Sequence, residues 1–106
     1  MWDKMTNEKI LAMEAGDRID EAVAKQIFSQ GWRLIGMNQC YSTDISAAWQ
    51  VVEKLRKDSI LLRQLGNRQG FYFCSFGGKY LAHATAEALT APEAICKAAL
   101  LTKIRN

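Results

Sequence analysis

Proton transfer and nucleophilic attack both need a base within hydrogen-bond reach of the reacting group, so the scarcer side chains are where a reaction would show. The sequence has one histidine, His83, and three cysteines, Cys40, Cys74 and Cys96. His83 falls in a stretch that reads as a strand, and no neighbouring cysteine carries a local activation signal. The cysteines are odd in number, far apart and without a CxxC pair, which fits no disulfide framework. A zinc set of the three cysteines and His83 is arithmetically possible, but its spacings match no standard module. The run Gly66-Asn67-Arg68-Gln69-Gly70 lacks the GK[ST] ending of a phosphate loop and no helix follows it, so it reads as a hairpin turn. No carboxylate pair stands near a nucleophile. The expectation is a protein that is not an enzyme, with no cofactor and no metal.

Binding chemistry is better represented. Gln39-Cys40-Tyr41-Ser42-Thr43-Asp44 leads into a predicted helix, and a helix start offers unpaired amides and partial positive charge to an anion. Ser42 and Thr43 would add hydroxyl donors. Tyr41 and Trp32 would supply flat surfaces for a base or another ring. Arg33, Arg63 and Lys79, within or beside predicted strands, would supply positive charge. The candidate ligand-binding set is therefore Trp32, Arg33, Tyr41, Ser42, Thr43, Arg63 and Lys79. Plain N-capping accounts for Ser42 to Asp44 without any ligand, and a carboxylate at Asp44 occupies the cap and repels phosphate.

Helical periodicity positions these residues. Thr6 is suited to cap a short helix through Ile10, Leu11 and Met13, which Gly16 interrupts. Over 17–29, Ile19, Ala22, Val23 and Ile27 form one apolar stripe, with Asp17, Asp20 and Glu21 complementing the dipole of the first turn. Over 44–57 the stripe is Ile45, Ala48, Trp49, Val52 and Leu55, which assigns Trp49 to the core. The last helix opens on Thr90-Ala91-Pro92-Glu93, a capping box in which Glu93 reaches back, and runs to about Lys103.

Between the last two helices the period changes. Stretches 59–65, 71–76 and 79–85 are short and apolar or aromatic. Gly66 to Gly70 separates the first pair and Gly77-Gly78 the second, as the turns of an antiparallel meander. Leu61, Leu62 and Leu65 also allow 59–65 to extend the preceding helix. Residues 32–37 read as an edge strand or an extended connector. The fold class is α+β, a helix–sheet–helix layered sandwich. Its small three- or four-stranded, mainly antiparallel sheet has helices packed on it, and the stronger helices divide between the two faces.

Composition excludes several classes. With 106 residues the chain has room for one domain, spanning 1–106, and enough length to bury a core. No stretch approaches the length of a membrane span, and the charged start Asp3, Lys4, Glu8, Lys9 is not a secretory signal, so the cytoplasm is expected. A net charge of +3 is too small to imply nucleic acid.

The string from Tyr41 to Leu55 (YSTDISAAWQVVEKL) resembles the signature of the phage ABA-sandwich domain family. The string from Thr90 to Leu100 (TAPEAICKAAL) resembles its closing helix, and Met5 to Met13 and Gly31-Trp32 are similar to its opening. The resemblance implies a phage or prophage protein of layered fold in the host cytoplasm, acting by binding. It implies either sequestration of a nucleotide immune signal by a small homo-oligomer, or a protein–protein module that blocks a host enzyme or serves phage assembly.

Overall fold

Two capping side chains start the two longer helices. The Asp44 carboxylate accepts from the Ser46 amide at 2.8 Å, and the Thr90 hydroxyl accepts from the Glu93 amide at 3.4 Å, each satisfying an otherwise unpaired N–H. The computed structural model describes residues 7–12, 16–28, 40–78 and 81–103. In chain order these form α1 (Asn7–Ala12), α2 (Asp17–Gln26), α3 (Ile45–Lys57), β1 (Ile60–Arg68), β2 (Phe71–Gly78), β3 (Leu81–Ala88) and α4 (Ala91–Leu101). The chain is thus α+β, with a three-stranded antiparallel sheet in the order β1-β2-β3 and helices packed on it. The expected strand or connector at 32–37, with Trp32 and Arg33, lies outside the described residues, as does Lys79.

The segment 59–65 is strand, not a continuation of α3. Ser59 takes a left-handed conformation (φ 64°), and its N–H bonds back to the Arg56 carbonyl at 3.0 Å. This is the usual way a helix stops, with serine where glycine is customary. The first hairpin turn narrows to Gln69-Gly70. Arg68 pairs with Phe71, and φ angles of 53° and 87° at the two central residues are those of a type I′ turn. Gly77-Gly78 is not the second turn. Both glycines belong to β2, opposite Leu61 and Ile60, and Gly78 pairs onward with Leu81. A side chain at Gly78 would meet the Ser59 carbonyl at 2.9 Å, so glycine there permits close approach of two backbones.

Packing explains the layers. Cys74, Phe76, Ala84, Ala86 and Ala88 are buried on one face of the sheet. α4 lies against β2 and β3, and α3 lies against β1 and α4, so these two helices share that face instead of dividing between the two. α1 and α2 pack on α4 from behind. Sandwiched in this way, α4 is buried over every residue from Ala94 to Leu100. That includes Lys97, whose ammonium reaches the Glu93 carboxylate at 2.8 Å and the Leu11 carbonyl at 3.1 Å. Glu93 therefore turns toward Lys97 rather than completing the expected capping box. On α3 the buried stripe is Ala47, Ala48, Val51, Val52 and Leu55. Ile45 and Trp49 are exposed, a correction to the sequence reading. At ~100° per residue, Trp49 lies about 130° around the helix from the centre of the true stripe.

Candidate functional site

The helix start at Tyr41 to Asp44 is tied into the fold by hydrogen bonds and stacking. Ser42 is fully buried; its amide and hydroxyl both donate to the same Asp20 carboxylate oxygen, each at 2.8 Å. Its Oγ in turn accepts from the Gly16 amide at 2.8 Å. The effect is to tie the entry of α3 to the entry of α2. Tyr41 is buried, and its ring stacks on Phe28 with centroids 5.2 Å apart. Burial pushes its phenol above the ordinary value, with Cys96 and Asp20 adding to the effect. Thr43 is exposed, and its amide closes a turn onto the Cys40 carbonyl at 3.2 Å. Arg63 is exposed on β1, at the bulge between Leu62 and Gln64. Of the sequence candidates described, Tyr41, Ser42 and Thr43 are neighbours in one chain turn, and Ser42 has its hydrogen bonds committed within the protein.

The opening beside this turn is a cleft of about 420 Å³ between Phe28 and the outward side of α3. Its lining comprises Phe28, Ser46, Trp49, Gln50, Glu53, Lys54 and Lys57, with Glu53 paired to Arg56 at 3.5 Å. Trp49 keeps 45% of its surface exposed. Lys54 is drawn toward Asp58 at 3.5 Å, and Lys57 makes no ion pair among the described residues. The cleft thus sets a flat ring beside Lys57, the Asp58-paired Lys54 and the Glu53 carboxylate, a mixed lining in which the ring offers a stacking surface and Lys57 a positive charge. Sequence reasoning missed this site because it placed Trp49 inside. The signal that would have found it is the run Ala47-Ala48 with Val51-Val52, whose paired small and branched residues mark the true stripe.

The cysteines offer no reactive centre in the interior. Burial pushes the Cys74 thiol up to about 12. The Cys96 thiol stands well above its usual range through burial, with Asp20, Cys74 and Glu93 adding to it. Such thiols stay protonated and inert at neutral pH. Cys40 is exposed. His83 lies in β3. Among the described residues no group of three histidine, cysteine or acidic side chains is placed to hold a metal ion, and no described helix is long and apolar enough to cross a membrane.

These features define an α+β domain in which an antiparallel meander carries two layers of helix. The chain matches the phage ABA sandwich domain over residues 4–100 and belongs to that family, which marks it as a small phage protein. No curated protein and no solved structure shows significant similarity to it.

Proposed function

We propose that this is a non-enzymatic, phage-encoded binding protein that acts as a small homo-oligomer in the host cytoplasm and sequesters a phosphate-bearing nucleotide signal of host defence. The observation that supports this reading is Trp49, a large aromatic side chain held at the surface of a cleft that also presents Lys54 and Lys57, the Glu53 carboxylate beside them being paired with Arg56. The ring offers a stacking platform and the ammonium groups offer charge for phosphate, with no nucleophile–base pair beside them.

The test is native mass spectrometry and calorimetry with cyclic and linear nucleotides, on the wild type and on Trp49→Ala. A stoichiometric adduct whose affinity falls by about tenfold or more in Trp49→Ala, as loss of a stacked base requires, would support the proposal. The exposed position limits the stability change to roughly 1 kcal/mol. An apo protein that ignores the whole panel would overturn it. The second reading, a module that binds a host enzyme or serves phage assembly, would use Ile45, a large apolar side chain exposed at the start of α3 outside the cleft lining. It predicts a stable complex in a pull-down from host extract that Ile45→Asp abolishes.

A further inference from the structure

The sheet face turned away from α3 and α4 has its own pattern. Strand pairing places Gln64, Ser75 and Thr85 in one row, and Gly66, Phe73 and Glu87 in the next. Arg68 and Phe71 form the row beyond. Toward Gly78 the centre of this face is closed, since Ser75 and Gly77 are buried. Toward Phe71 it is open: Phe71 is 48% exposed, and Arg68, Thr85 and Glu87 are exposed around it. Phe73 lies across Gly66, where an added side-chain carbon would meet its ring at 2.8 Å. The Arg68 guanidinium stands over the same ring, 5.5 Å from its centroid. The patch is therefore aromatic at its centre, positive at the β1 edge and negative at the β3 edge. Glu87 makes no ion pair among the described residues.

We propose that this face docks a second copy of the chain, sheet to sheet, about a twofold axis running along the strands. Such an axis lays the β1 edge of one copy over the β3 edge of the other, with strand directions aligned as in ordinary sheet packing. Phe71 and Phe73 then meet their counterparts at the centre, and Arg68 of each copy faces Glu87 of the other, twice over. An axis across the strands would lay β1 over β1 and leave both carboxylates on the edge away from both guanidiniums. The distribution of charge selects the first arrangement. A patch confined to one end of three short strands sits at the low end of interface size, where weak association is expected.

The inference rests on the homo-oligomer part of the proposed function and is independent of nucleotide capture in the α3 cleft. Sedimentation equilibrium of the full chain from about 1 to 200 μM tests it, since that range brackets micromolar association. The expected result is a concentration-dependent dimer. Arg68→Glu and Glu87→Arg should each weaken it by about tenfold or more, by setting like charges against each other, and the double exchange should restore it. Phe71→Lys, at an exposed position that leaves no cavity, should weaken it by a similar factor. Circular dichroism confirms that each variant is folded. A wild type that stays monomeric throughout, or a dimer indifferent to both charge reversals and to Phe71→Lys, would overturn the proposal. Trp49→Ala should leave the dimer intact, so loss of nucleotide binding and loss of association are read separately.

Discussion

Ser42 has no surface of its own, yet three hydrogen bonds meet at it. Replacing it with alanine removes a hydroxyl donor from the buried Asp20 carboxylate, which keeps the amide of residue 42, and removes the acceptor of the partly buried Gly16 amide. Ser42→Ala should therefore lower stability by about 2 kcal/mol in chemical denaturation. Ligand affinity measured on the folded fraction should not change. The sequence placed Ser42 correctly at a helix entry but could not separate capping from binding. Serine, threonine and aspartate in succession satisfy a cap in any of three ways, and the choice falls to Asp44 because Asp20, 22 residues earlier, takes Ser42. A partner that distant leaves no local signature. The same reason hides the role of Lys97, which in sequence resembles any helix-surface lysine and in the structure holds α4 to the carbonyl of Leu11.

At the scale of the element, helix ends and the strand period were legible, and turns less so. Thr90 and Pro92 announced α4, and the three capping candidates Ser42, Thr43 and Asp44 announced α3, of which the structure uses Asp44. The end of α3 at Lys57 was read correctly, but an extension stayed open because leucines at 61, 62 and 65 satisfy helix and strand patterns alike; Ser59, in a left-handed conformation that serine seldom adopts, is what closes it. Gly-Gly at 77–78 suggested a turn because glycine permits one. Its use is instead the close approach to Ser59. The turn between β1 and β2 carries Gln69 at φ 53°, where asparagine or glycine is favoured. Gln69→Asn should raise stability by roughly 0.5 kcal/mol by easing that conformation, visible as a higher thermal midpoint with no change in circular dichroism. An unchanged or lower midpoint would show that the glutamine side chain holds the turn in another way.

Across the whole molecule, the layering concentrates burial on α4 and the facing side of β2, and so places two thiols in the interior. Composition and element order made the α+β class legible. They did not show that α3 and α4 share a face, because an amphipathic stripe says that a helix is covered, not by what. The interior thiols give this arrangement a pH signature. The Cys74 thiol is raised from near 9 to about 12 by burial, and Cys96 is also raised well above its usual value. A folded-state value above the unfolded one means that, as pH rises past 9, the unfolded chain releases protons that the native state retains. The unfolded state then binds fewer protons, and stability falls with pH. The thiols' contribution is present in full below the unfolded value and is lost progressively toward about pH 12; raised Tyr41 pulls the same way at the alkaline end. Denaturation midpoints should therefore be flat through neutral pH as far as the thiols are concerned and decline steeply above 9. Cys74→Ala should cost about 1 kcal/mol at pH 7 from the small cavity it leaves. The same variant should show a shallower alkaline decline than the wild type. A thiol reagent at pH 7.5 provides the matching kinetic test: Cys40 should react at once, and Cys74 and Cys96 only at the rate of unfolding. Equal labelling of all three in the native protein would mean that α4 does not close over the sheet as described.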